Sequence, residues 1–330
     1  MPRLICVITV RQKNMKILAV TIILMAIALG AFPQDGIDRV ETNLVTLNVS
    51  VVDGRGRPVK GLNTNNFLVF DNGRPQNIES LSLHDAPVSV GVIYDIHRAE
   101  EEHTRNIIAA LRSFSSSLGR EDDLFVNVIG ERGSLTTEFV PTEQQIRDNV
   151  VNAEKRGKNS LYDAIFEASK KLATARNSKR FLILVTDGAD RNSHHTLREL
   201  RSHFRSINLP VYSITFGGND RRQFGYSDIH REVPIRSFGL GETNELDRAI
   251  VSELSHSSGG QTFEAEVRNR FYLTALFSRV SGEVRSQYVL GFYPEKVDGK
   301  YHKLKVAIEG KKARGLKLTS RSGYQSRRSS

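Results

Sequence analysis

The sequence predicts a three-layer, Rossmann-like α/β domain with a mostly parallel sheet, together with a small β-sandwich-like module built from both flanks of the chain. Three observations carry this. Between residues 86 and 281 short apolar runs alternate with amphipathic stretches, a pattern that implies βαβ units with both faces of the sheet covered. Strand-like patterning occupies the stretch before residue 84 and returns after Ser281. Asp95 and Asp187 each close an almost continuous apolar run, GVIYD and FLILVTD. With 330 residues and 39% hydrophobic content, the chain can bury one large core and a smaller one.

At the start, Met15–Lys16 precedes the apolar run Ile17–Ala31, which ends in the small residues Ala28, Gly30 and Ala31. A basic start, an apolar core and a small-residue exit predict a secretory signal over residues 1–31, with Met15 as an alternative start. The run is shorter than the ~20 residues a spanning helix needs, so a retained anchor is the lesser reading. The single cysteine, Cys6, falls in this leader, so the expected mature chain has no disulfide. The leader also holds Arg3, Arg11, Lys13 and Lys16 and no acid, so its removal lowers the formal charge from +10 to +6.

The N-terminal β module is expected over 36–84. Leu44–Val52 alternates apolar and polar residues before Asp53–Gly54, Phe67–Phe70 runs into the turn Asp71–Asn72–Gly73, and Ile78–Leu83 gives a third strand. The α/β domain is expected over 86–281. Val88–Tyr94 is a buried strand, and Glu101–Leu118 a helix with Ile107, Ile108, Leu111, Phe114 and Leu118 on one stripe. Leu124–Ile129 is the next strand, with Asp122–Asp123 punctuating its start. Thr142 and Gln145 stand at capping-box spacing before a helix, and Leu161 to about Ala175 forms another. Phe181–Thr186 and Val211–Phe216 are strands around a helix that follows Thr196.

Gly217–Glu242 is a long Gly-, Arg- and Ser-rich excursion, the kind of loop that serves function or moves. Asn244 is expected to cap a helix over Glu245–Ser255, before a short strand at Gln261–Phe263 and a last helix at about Arg268–Val280. The strands Gln287–Phe292, His302–Ile308 and Leu316–Ser320, within 282–325, are expected to pack with the N-terminal ones, because the ends of an inserted domain lie close together.

Residues just past the strand C-termini of an open parallel sheet meet in one crevice, which places Asp95 and Asp187 together. With hydroxyl or amide oxygens from a neighbouring loop they would offer hard ligands to Mg²⁺, Mn²⁺ or Ca²⁺. The order of strand–Asp95, GKNSLYDAI (Gly157–Ile165), LVTDGAD (Leu184–Asp190) and ELSHSSGGQTF (Glu253–Phe263) resembles a von Willebrand factor A (VWFA) domain. The flanks Val51–Ser80 and Arg285–Val306, with a closing Gly323–Tyr324, resemble the "VWFA-related" secreted proteins typical of Acidobacteria. The resemblance covers most of residues 40–325.

This resemblance implies a metal-ion-dependent adhesion site, here in degenerate form. The family's first motif is Asp-x-Ser-x-Ser; Asp95 keeps the aspartate, while His97 and Ala99 replace both serines. The loop threonine falls on Asn159, and the aspartate of the TDG motif is kept as Asp187. The candidate ligands are therefore Asp95, Asp187, Asn159 and His97, with no ion certain. Ser160 with Asp163 has the spacing of a helix cap. His194 and His195 read as solvated, since no cysteine accompanies them for zinc.

No G-x-S-x-G, H-E-x-x-H or P-loop pattern occurs, so an enzyme, a hydrolase included, is not expected. The expected role is an exported protein-binding or adhesion module, secreted, periplasmic or envelope-associated. Arg221, Arg222, Arg231 and Arg236 in the long excursion would suit an acidic protein partner. The alternative is a structural envelope component held by a basic C-terminal tail. No nucleic acid is expected there, because aromatic residues do not interleave with the charges.

Overall fold

The computed structural model describes residues 44–83, 86–95, 101–130, 133–153, 160–215, 240–264, 270–310 and 313–327. They belong to one compact unit, Asn43–Ser330. The leader expected over 1–31 lies outside the described residues. Among those described, no helix is long and apolar enough to cross a membrane.

The chain begins with strands β1 (Val45–Val52), β2 (Phe67–Asp71), β3 (Arg74–Gln76) and β4 (Ser80–Leu83). Asn72 and Gly73 take φ of 48° and 82°, the left-handed pair that a two-residue hairpin loop demands. The turn signal in the sequence is thus a hairpin, with Asp71 facing Arg74 across β2 and β3.

The α/β body follows as β5 (Val88–Asp95), α1 (Glu101–Ser117), β6 (Asp123–Gly130), β7 (Gly133–Thr136), α2 (Glu143–Asn152), α3 (Leu161–Ala173) and β8 (Lys179–Thr186). It closes with α4 (Leu197–Ser206), β9 (Val211–Thr215), α5 (Leu240–Ser258), β10 (Thr262–Glu264) and α6 (Arg270–Arg285). The sheet order is β10-β9-β8-β5-β6-β7, parallel throughout except for β7, which runs antiparallel to β6. Alternation along β5 divides the core. Val88, Val90, Val92 and Tyr94 pack under α1, α2 and α6, and Ile93 packs with α3, α4 and α5 on the other face. Each such apolar side chain contributes about 1.5–3 kcal/mol on burial, which is why a sheet covered on both faces reads as continuous apolar runs.

Local signals act where expected at two helix starts. Thr142 with Gln145, and Thr196 with Glu199, both form complete capping boxes. Elsewhere the structure departs from the sequence reading. Helix α5 starts at Leu240, so Asn244 lies inside it and is no cap, and the last three residues of the expected excursion are helical. Strand β7, with the short sequence GSLT, has no apolar run to announce it; it exists because it pairs with β6.

The chain ends in β11 (Tyr288–Phe292), β12 (Tyr301–Ile308), β13 (Lys317–Ser320) and β14 (Gly323–Gln325). These interleave with the first four strands in two antiparallel sheets, β13-β1-β11-β4 and β14-β12-β2-β3. Leu47, Val49, Phe67, Tyr288, Leu290 and Phe292 fill the space between them. The basic stretch expected as a tail is therefore folded as far as Arg327, with Arg321 buried. One sheet carries a buried polar cluster: His302 sits between Asp71 (Nδ1, 2.8 Å) and Asp298 (Nε2, 3.1 Å), and the Tyr324 hydroxyl donates to Asp71 at 2.9 Å. Burial disfavours the His302 cation, but the two carboxylates outweigh it and raise its pKa.

The two halves meet at Asp122. Its carboxylate accepts the Val88 amide at 2.9 Å, where the chain enters β5, and the Gly119 amide at 2.6 Å after α1, and it also pairs with Arg285 at the end of α6. Burial raises its pKa, yet Arg285 and the two amides win and hold it below the ordinary carboxylate range. Asp122 and Asp123 thus do more than punctuate a strand, since Asp123 also accepts from Ser89 Oγ at 3.0 Å and pairs with Arg176. Asp122→Ala would leave the part-buried Arg285 and two amides without their acceptor. We expect it to lower the unfolding free energy in urea by about 3 kcal/mol. In the same assay Gly260→Ala should lose about 2 kcal/mol, because a Cβ there overlaps the Val211 carbonyl. Gly282→Ala, in α6 with open space around it, should gain about 0.5–1 kcal/mol.

Candidate functional site

The strand order reverses between β5 and β8: the chain leaves β5 toward β6 on one side and leaves β8 toward β9 on the other. A crevice opens at such a switch point, outside the strand C-termini. Asp95 ends β5 and is 4% exposed; Thr186 ends β8, one place past the Tyr94–Val185 register pair. The Thr186 hydroxyl donates to Asp95 Oδ2 at 3.1 Å and accepts the Gly188 amide at 3.0 Å. Asp187, half-buried, accepts the Ala189 amide on Oδ1 at 3.0 Å. Gly188 is at φ 88°, and a Cβ on it would strike the backbone of Asp247 in α5, so only glycine lets the loop pass.

The loop after β8 is locked to the first turn of α3. The amides of that turn have no intrahelical acceptor. The Tyr162 amide goes to Asp190 Oδ1 at 3.1 Å, and the Asp163 amide to Ser193 Oγ at 3.1 Å, while the Ser193 hydroxyl donates to Asp190 at 2.6 Å. In return the Asp163 carboxylate accepts the amides of His194 and His195, each at 2.9 Å, and meets their Nδ1 atoms at 3.1 and 2.6 Å. The cap expected from Ser160 is absent: its side chain makes no capping bond, and residues some thirty positions away cap the helix instead. Burial works against the Asp163 carboxylate, but the His194 and His195 amides and rings overcome it and hold its pKa far below the usual range. His195 stacks on Phe166 at 4.0 Å, while His194 is 93% exposed at its side chain.

Arg191, to which the sequence reading gave no role, extends from this loop to Asp247 at 2.8 Å and feels the charges of Asp187 and Asp190 as well. Only its position just after Asp187 and Asp190 hinted at that. The structure brings Asp95 and Asp187 to one edge of the sheet. His97, Asn159, Arg221, Arg222, Arg231 and Arg236 lie outside the described residues.

The fold is von Willebrand factor A-like. Mg²⁺ wants near-octahedral oxygen, and the described residues bring two carboxylates to this edge, which is only part of such a shell. Asp95 and Asp187 each already accept a hydrogen bond, and among the described residues no group of three or more His, Cys, Asp or Glu is placed to hold a metal.

No family model matches the sequence, and no curated protein matches it. Among solved structures, a von Willebrand factor type A protein from Catenulispora acidiphila is 10% identical over 88% of this chain and 75% of its own, with a TM-score of 0.44. An aerotolerance-related membrane protein from Bacteroides fragilis is 13% identical over 60% of this chain and 98% of its own, at 0.38. The manganese-loaded TRAP protein of Plasmodium vivax is 15% identical over 80% of this chain and 100% of its own, at 0.37. Strand order and layering, rather than these likenesses, define the fold.

Asp163→Asn should loosen the 190–195 loop and cost about 2 kcal/mol at pH 7, the scale of hydrogen bonds to a charged group. Because the folded pKa is depressed, this contribution is complete above the ordinary carboxylate pKa near ~3.9 and is lost as pH falls toward the folded value. Urea unfolding of both proteins should show a gap at pH 7 that narrows below about pH 4.

Proposed function

We propose that this chain is an exported protein-binding module that recognises its partner through the loops at the C-terminal edge of the central sheet, without a resident divalent ion. The observation that supports this reading most is the locked loop after β8. Asp190, Ser193 and Asp163 fix its backbone, yet Arg191, Asn192 and His194 stay exposed. A surface ordered before binding avoids the entropy of ordering on contact, which is how a rigid scaffold makes a loop a good recognition element. The switch-point carboxylates then shape the edge, Asp95 by holding Thr186 and Asp187 by turning the loop through the Ala189 amide.

We favour a binding module over an enzyme. A Ser–His contact exists between α3 and α4, Ser169 to His203 at 2.8 Å, but the Ser169 hydroxyl already donates to the Phe166 carbonyl at 2.7 Å. With that proton committed, His203 donates to the serine and does not activate it. Burial, followed by the charge of Lys170, lowers the pKa of His203.

Two measurements test this reading. A photo-crosslinker at Asn192 of the exported protein should capture a partner in cells, while one at Glu295 on the sandwich should not; the reverse pattern would move recognition to the sandwich. Thermal melting with millimolar Mg²⁺, Mn²⁺, Ca²⁺ or Zn²⁺ should leave the melting temperature unchanged. An ion-dependent rise that disappears in Asp187→Ala would restore a metal-dependent mechanism.

A further inference from the structure

Among the described residues, Arg321 is buried without an acid beside it. It follows β13, is 8% exposed, and lies against the Tyr324 ring at 5.6 Å. Its Nη2 donates to the Thr46 carbonyl at 2.8 Å, while its buried Nε has no partner. The groups that act on its charge are the hydroxyls of Tyr324 and Tyr301, and no carboxylate is among them. Burial pulls its pKa down to about 10, so it is still a cation at neutral pH. A desolvated cation left without a counter-charge is costly, and chains seldom keep one that serves only packing.

Arg321 lines a cavity of about 180 Å³ between the sandwich and the C-terminal end of α4. Arg327, Asn208, Ser326 and Gln325 line the same cavity, and among the described residues no acidic side chain does. Asn208 stands just before β9, so this cavity opens at the strand N-termini, the opposite edge of the sheet from Asp95 and Asp187.

We propose that this cavity is a binding site for a small oxyanion, a phosphate or carboxylate group, with Arg321 as its buried anchor and Arg327 as the cation at its mouth. Nη2 is given to Thr46, so the guanidinium supplies the cavity wall with its positive charge and its remaining donors, the type that pairs with two oxygens of one anion. The Asn208 amide is of the type that adds to such a shell, while the Gln325 amide donates to the Gly299 carbonyl and the Ser326 hydroxyl to the Arg327 carbonyl. Size limits the ligand. The cavity is several times the ~30 Å³ share of a water molecule but below the ~300 Å³ at which pockets for drug-sized molecules begin. It therefore suits a single phosphate, or the carboxylate end of a larger molecule, and not a nucleotide held whole.

The test is thermal melting and calorimetric titration of the full chain with inorganic phosphate and with acetate, against chloride at equal ionic strength. Phosphate, acetate or both should raise the melting temperature by about 3 °C at ten times the dissociation constant, with chloride inert. A response to phosphate alone points to free or esterified phosphate, and a response to acetate alone to a carboxylate-bearing ligand. Arg321→Lys keeps the charge but loses the fork and should weaken binding at least about tenfold. Arg327→Ser, at an exposed position, should weaken it severalfold without disturbing the fold, and it carries the test if Arg321→Lys does not fold. If neither anion exceeds chloride, or if Arg327→Ser and Arg321→Lys respond as the parent does, the proposal is overturned.

Discussion

Asp122 stands where the chain crosses from sandwich to α/β body and back. The strand that begins the body, the turn after its first helix and the arginine at the end of its last helix all meet one carboxylate with 2% of its side chain exposed. Lys179 reinforces the return crossing, its ammonium donating to the Arg285 carbonyl at 2.7 Å. An inserted domain needs its two connections held side by side, or each half would rock on two loose tethers. Glu283 extends the same junction: its carboxylate accepts from Tyr212 and Gln261, and burial, only partly offset by Ser50 and these partners, raises its pKa. Buried polar groups that are fully partnered in this way fix one relative arrangement, which apolar contact alone would leave free to slide.

With that edge fixed, the opposite edge of the sheet is free to differ in chemistry. Asp95, Thr186 and Asp187 sit at the switch point because parallel strands end there, and the loop after β8 is tied by hydrogen bonds to the first turn of α3. The carboxylates of Asp163 and Asp190 serve as caps and latches. In a small volume, the same residue type thus shapes a turn, ends a helix and closes a crevice. What distinguishes these roles is which amides face each carboxylate.

Charge placement in the sandwich follows a different logic. His302 is enclosed by Asp71 and Asp298, whose carboxylates raise its pKa. Arg321, at the same end of the module and against the same Tyr324, meets a carbonyl and a ring and, among the described residues, no carboxylate. One basic side chain is thus answered within the fold and its neighbour is not, the contrast on which the proposed anion site rests.

The layers are legible in local patterns along the chain. The buried strands read at Val88–Tyr94 and Phe181–Thr186, the stripe of Ile107, Leu111 and Phe114, the box at Thr142 and the cap at Thr196 are local patterns of period or spacing. The sequence also placed Asp95 and Asp187 at one edge, because the ends of neighbouring parallel strands must meet there. Other features depend on contacts between distant parts of the chain. Strand β7 and the buried role of Arg321 have no local signature, since pairing and burial depend on residues far along the chain. Asp163 carries a spacing that reads as a cap for its own helix, yet it holds His194 and His195, and Asp190 and Ser193 supply the cap. A hydrogen bond to a neighbour three residues away is visible in sequence; one to a residue thirty places on depends on the fold that brings the two together.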